Sequence, residues 1–228
     1  MINFNIKDDI AIIELNDGKA NVFAQATSEA ILEALNKAES EAKATIIQAT
    51  GDKFSAGFDL SVMGGSEQEK NAMVLTGFQT LLKIYAHPQP VVAACNGHAM
   101  GMGAFTLLVA DTRIGAEGDY KVGLPETAGG MPFTKFLVTI IQAELSSTFM
   151  KTAALQSQMC TPKTAIHAGF LDMLVPAEAL HKTAFKGAQQ LTQLPTKQYG
   201  DNKRELRQDT LKIMNDALDS MLNTRVLS

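Results

Sequence analysis

Three short stretches hold residues whose types could do chemistry. VGLPETAGGMPF, residues 122–133, sets Glu126 between Pro125 and a Gly-rich run in otherwise apolar company. On an exposed turn this carboxyl is an ordinary solvated acid. In an apolar pocket its pKa rises, and it can take and return a proton near neutral pH. FSAGFDL (54–60) and NGHAMGMGAF (96–105) are small-residue turns that follow apolar runs. Each would end a strand and open a helix, where backbone N–H groups lack partners. Two such turns side by side can aim two donors at one oxygen, the geometry of an oxyanion hole. Plain tight packing of turn against helix is the alternative. Gly101 and Gly103 stand where a helix should begin, and glycine there signals close approach or a positive φ.

Other chemistries find little support. The glycines 97, 101 and 103 do not fit the G-x-G-x-x-G spacing, and there is no Walker sequence. His98 has no evident acidic partner and no Ser or Cys placed as a nucleophile, so it reads as structural. Cys95 and Cys160 lie far apart without metal-ligand neighbours, so neither a metal nor a bound cofactor is expected. With 20 basic and 24 acidic residues the net charge is −4, which favours neither nucleic acid nor an anionic membrane as partner. Apolar residues make up 46% and charged residues 19%, enough for a sizeable core. The start MINFNIKDDI lacks the pattern of a secretory or transit segment, and no apolar run reaches the roughly 20 residues that span a bilayer. The expected location is the cytoplasm.

The elements that must position these stretches follow from periodicity. INFNIK and DIAIIEL read as two strands around a polar break. TSEAILEALNKAES has helical spacing, with Thr27 and Ser28 as cap candidates. ATIIQATG is a buried strand closed by Gly, GGSEQEKN is polar and mobile, and residues 71–86 are helical up to His87–Pro88. QPVVAACNG is a strand, GMGAFTLLVAD a helix, and TRIGAEGDYKVGLPE strand, turn and strand. TPKTAIHAGFLDMLVP reads as helix, Gly stop and short strand, and a last helix covers about residues 201–223. Strand–loop–helix recurs at about 10–40, 44–86 and 91–111, an α/β pattern wound from similar units, followed by a helical C-terminal segment.

In this order and at these separations, FSAGFDL, NGHAMGMGAFTLLVADTRIGAE, VGLPET and TPKTAIHAGFLDMLVPAEAL resemble the segments of the crotonase (enoyl-CoA hydratase/isomerase) superfamily. The likeness runs from Ile10 to about Lys182. It implies a spiral of β-β-α turns with helical trimerisation elements, here residues 1–195, and a C-terminal helix, 196–228, shortened relative to the family. It implies an acyl-CoA substrate and a homotrimer or dimer of trimers. By motif position it implies that the N–H groups of Ala56 and Met102 form the oxyanion hole. It places Ser55, Phe58, Asp59, Leu60, Gly101, Phe105 and Pro125 around the substrate. The family usually has Gly where Met102 stands; a backbone donor survives that change, and the Met side chain is expected to narrow the pocket.

The family's hydratases carry two glutamates, one in the helix after the Gly turn and one in the segment holding Glu126. The first position here is Phe105. Hydration needs an activated water and a proton for the α-carbon, which two carboxylates share. Moving a double bond from the 3 to the 2 position needs one base, and Phe105 leaves a drier pocket. The resemblance therefore implies a 3,2-enoyl-CoA isomerase of fatty-acid degradation with Glu126 as base and acid. The alternatives are a hydratase with a relocated second base and a non-catalytic acyl-CoA-binding protein of the same fold. The chain stops at NTRVLS, before a further helix usual in the family, which is expected to leave the nucleotide end of CoA exposed and the acyl tunnel open.

Overall fold

The computed structural model describes residues 2–226, with side chains through residue 223. The end of the expected C-terminal unit, at 228, lies outside the described residues. Among the described residues nine strands form two sheets: β1 (Ile2–Lys7), β2 (Ile10–Leu15), β3 (Ala44–Ala49), β4 (Lys53–Ser55), β5 (Val91–Cys95), β6 (His98–Met100), β7 (Thr112–Ala116), β8 (Val122–Gly123) and β9 (Met173–Val175). The large sheet runs β1-β2-β3-β5-β7-β9 and the small one β4-β6-β8. Among the strand pairs of the described residues only the β1–β2 hairpin is antiparallel.

This is the recurring unit in full. After the β1–β2 hairpin and the first helix, three successive turns each place one strand in the large sheet, a short second strand in the small sheet, and then a helix. β3 and β4 lead to α2 (Leu60–Met63) and α3 (Glu67–Ala86), and β5 and β6 to α4 (Met102–Leu108). β7 and β8 lead to α5 (Lys135–Glu144). The second strands have two or three residues, too short for a period-2 pattern to show, so the sequence reads β4 and β6 as turns and only β8 as strand. The inner strands β3 and β5 are almost wholly apolar because both faces are covered, whereas the edge strand β1 alternates exposed and half-buried residues. Ile47, Ala93 and Cys95 face the main core. Ile46, Val92, Ala94 and Ile114 face the other way, onto Leu180, Ala184 and Ala188 of a later helix, Leu180–Leu191.

Two expectations at helix starts change. The first helix, α1 (Gln25–Glu41), begins three residues before Ser28, so Thr27 and Ser28 lie inside it; Ala24 is its N-cap, without a side-chain bond. The stretch GGSEQEKN is not all loop: from Glu67 onward it belongs to α3. Ser66 caps α3 through a reciprocal capping box with Glu69, a signal plainly present as S-x-x-E. The final helix, Thr196–Val226, starts five residues earlier than its periodicity predicts. It packs on α3 and α5, and its Met214 and Leu218 enter the main core. No helix among the described residues is long and apolar enough to cross a membrane.

Candidate active site

The small sheet brings the three stretches together. β4, β6 and β8 are neighbours, and each ends at one of them. An added Cβ on Gly57 would lie 2.8 Å from the Met100 carbonyl oxygen and 3.5 Å from the Met102 nitrogen, so the two turns touch. Gly103 answers the same demand from the helix side: a Cβ there would meet the Ser55 oxygen at 2.5 Å. Gly101, the N-cap of α4, has φ 53 and ψ −119, a conformation costly for any other residue. A Cβ on it would stand 3.2 Å from Glu126 Oε1. The glycines at the start of α4 thus admit a turn on one side and a carboxylate on the other.

Glu126 is 8% exposed and its Oε2 is buried without a hydrogen-bond partner. Burial pushes its pKa up to about 7, with its own backbone N–H pulling the other way. No second acid contributes to that shift. Phe105, 1% exposed on α4, meets Phe133 edge-to-face at 6.4 Å between centroids, so the second-carboxylate position is a hydrocarbon wall. Pro125 is half-buried beside the carboxylate, and its C=O accepts from Gly129 N–H at 2.9 Å.

The donors differ from expectation at one position. Ala56 N–H is already donated to Ala20 O at 2.9 Å, and the residue is exposed. Gly57 N–H donates to Ser55 Oγ at 3.1 Å, and Asp59 N–H to Phe23 O at 3.3 Å. Phe58 pairs with Phe23 as an isolated parallel bridge. In such a bridge Phe23 bonds the residues on either side of Phe58, so the N–H of Phe58 itself points away from Phe23. Among the described residues neither Phe58 N–H nor Met102 N–H meets an acceptor. Phe58 and Met102, one in each of the two touching turns, therefore keep free N–H groups, and Phe58 lies two residues along from Ala56. The sequence shows the right turn, but the direction of each N–H is set by a contact 35 residues upstream.

The remaining residues of the first turn shape it. Ser55 is fully buried and spends its hydroxyl on Gly57. Asp59 caps α2, accepting from Ser61 N–H at 2.9 Å and from its hydroxyl at 2.6 Å; that hydroxyl above all holds its pKa below the usual range. Leu60 is 76% exposed at the start of α2. Beside it runs a groove lined by Ala24, Gln25, Ser61, Val62 and Gly65. The Met102 side chain does not project into open space: it is 2% exposed, and its Cε and the Phe58 ring both pack over Gly77 of α3. His98 accepts from Lys121 N–H through Nδ1 at 3.1 Å and sits edge-on to Tyr120, a structural setting. Cys95 is buried and its thiol is pushed up to about 12 by burial. Among the described residues no cluster of three or more His, Cys, Asp or Glu could hold a metal.

A ββα spiral with a free amide in each of two touching turns, and a buried carboxylate against the glycine of the second, is a frame that can hold an oxyanion near a base. The chain belongs to the enoyl-CoA hydratase/isomerase family, whose model matches residues 5–225. It is 32% identical to a carnitinyl-CoA dehydratase of Salmonella typhi over 189 residues, 78% of this chain and 69% of that one. It is 30% identical to a probable enoyl-CoA hydratase of Bacillus subtilis over 129 residues, 55% of this chain; the matched stretch spans half of that relative's length. A crystal structure from Mycobacterium tuberculosis, described as a probable enoyl-CoA hydratase, superposes with TM-score 0.93 at 30% identity, covering 99% of this chain and 96% of that one. A second structure of the same mycobacterial protein is described as an enoyl-CoA isomerase.

Proposed function

We propose that the protein is an enoyl-CoA isomerase that shifts a double bond from the 3 to the 2 position of an acyl-CoA thioester. The observation that carries this reading is the lone buried carboxylate, with Phe105 where a second acid would be needed to activate water. Glu126 removes a proton from C2. The electron pair moves into the enolate, whose oxygen accepts from the N–H groups of Phe58 and Met102, each worth about 3–4 kcal/mol in comparable sites. The enolate collapses with the double bond between C2 and C3, and Glu126 returns the proton to C4. A pKa of about 7 matches both halves of this task, since the same group must accept and donate. Activity then falls as pH drops below about 7, where the base is protonated.

The groove beside Leu60, at the uncapped start of α1, is the place proposed for the CoA end of the substrate. A homotrimer, or a pair of trimers, and a cytoplasmic location complete the proposal and rest on the family. The test offers the wild-type protein a 3-enoyl-CoA and, separately, crotonyl-CoA. Rapid appearance of the conjugated thioester with slow hydration supports the reading. Hydration as fast as isomerisation favours the hydratase alternative, and binding without turnover of either favours a non-catalytic acyl-CoA carrier.

A further inference from the structure

The loop that carries Glu126 is shaped by itself but held in place from outside. Gly129 N–H donates to Pro125 O, Gly130 N–H to Thr127 O and Met131 N–H to Glu126 O, at 2.9, 3.1 and 2.8 Å. Two further bonds leave the loop, and both reach one segment. The Thr127 hydroxyl donates to Ala154 O at 2.9 Å, and Ala128 N–H donates to Ser157 Oγ at 3.1 Å.

That segment has an uncommon conformation. Lys151–Leu155 forms a π-helical turn, and Gln156 N–H donates to Lys151 O at 3.2 Å. Ser157 follows with φ 49, and Gln158 N–H closes the end on Thr152 O at 2.9 Å. Single π turns occur often at functional sites. A left-handed residue directly after a helical segment is usually Gly, sometimes Asn, because other side chains strain the backbone there. Serine offers one thing glycine lacks, the Oγ atom, and here Oγ is the acceptor for Ala128 N–H.

We propose that Ser157 is a positioning residue: from its strained place after the π turn, its hydroxyl fixes the loop that sets the Glu126 carboxylate against Gly101. The proposal rests on the reading of Glu126 as the base. Glu126 Oε2 is buried without a protein hydrogen-bond partner, so its environment depends on where the loop holds it. A released loop admits water to the carboxyl and lowers its pKa. Replacement by Gly relaxes the backbone and removes the bond at once, so stability and carboxyl behaviour should part company.

The experiment titrates Glu126 without turnover, from the carboxyl infrared band in difference spectra against Glu126→Gln. It is made in the Ser157 wild type and in Ser157→Ala, Ser157→Gly and Ser157→Asn. Loss of the hydroxyl in the Ala and Gly variants should move the titration from about 7 toward the ordinary carboxylate range. It should also lower kcat about tenfold with KM unchanged, the signature of a misplaced catalytic group. Ser157→Gly should be no less heat-stable than wild type. Ser157→Asn, which tolerates the left-handed backbone and offers a carbonyl acceptor, should restore the wild-type titration. An unchanged Glu126 titration in the folded Ala and Gly variants would overturn the proposal. A shifted titration in a protein that isomerises no 3-enoyl-CoA would instead overturn the function and leave the positioning role standing.

Discussion

Asp111 is a part-buried carboxylate and Glu126 a buried one, and their surroundings are opposite. Asp111 accepts from Lys203 Nζ at 2.7 Å, from Val91 N–H at 2.8 Å, and pairs with Arg207 at 3.0 Å. Arg207 also lies over the Tyr85 ring at 4.0 Å and donates to its carbonyl at 2.8 Å. This seam fastens the last helix to the core. Its cost is visible at Lys203, whose pKa burial pushes down to about 8 despite the pull of Asp111. Glu126 has a bare Oε2, a glycine at its Oε1 and no cation. A saturated buried acid makes structure, whereas an unsaturated one keeps a lone pair free for substrate.

The contrast can be broken by exchanging what each acid does. The largest expected effect is at Glu126: Glu126→Gln should cut isomerase turnover by about 10²–10⁴-fold while acyl-CoA still binds. Steady-state kinetics with a 3-enoyl-CoA checks it, and a variant that keeps most of its kcat would make Glu126 a bystander. Next is Asp111→Ala, which strands Lys203 and Arg207 and should cost about 3–5 kcal/mol in denaturant unfolding. Turnover per folded molecule should survive, because no part of the seam belongs to the pocket.

The third effect has the opposite sign. The folded-state pKa of Glu126 is raised from 4.5 to about 7, so folding favours its protonated form. The stability this gives is present below about pH 4.5 and is lost as pH rises through about 7. Glu126→Gln should therefore be more stable than wild type above pH 7, by up to about 3 kcal/mol, and lose that advantage on acidification. Parallel melting curves at pH 4.5 and 8 measure the difference. The smallest is Ser66→Ala. Loss of the capping box on α3 should cost about 1 kcal/mol and leave turnover intact, showing that ordinary stability loss does not reach the pocket.

Much of this was legible in the residues, and the rest was hidden for definite reasons. Glu126 stands out because a carboxylate among Pro, Leu and Gly has few ways to be solvated. The spiral shows as a recurring strand–loop–helix pattern. The strands β4 and β6 do not, because three residues have no readable period. The Ala56 N–H is spent on Ala20 O, which the sequence does not show, because the orientation of each N–H in FSAGFDL depends on the Phe23–Phe58 bridge. The Asp111 seam joins residues 92 positions apart, a separation that local patterning does not span. The capping box at Ser66 was there to be read.

The central claim is that one carboxylate carries one proton from C2 to C4 in a dry pocket. A 3-enoyl-CoA labelled with deuterium at C2, turned over in ordinary water, tests it directly. The account predicts that part of the deuterium appears at C4 of the 2-enoyl product, because the buried Glu126 exchanges slowly with solvent during a turnover. Product with no deuterium at C4 under single-turnover conditions, alongside rapid hydration of crotonyl-CoA, would mean that water reaches the reacting carbons and that a second group activates it.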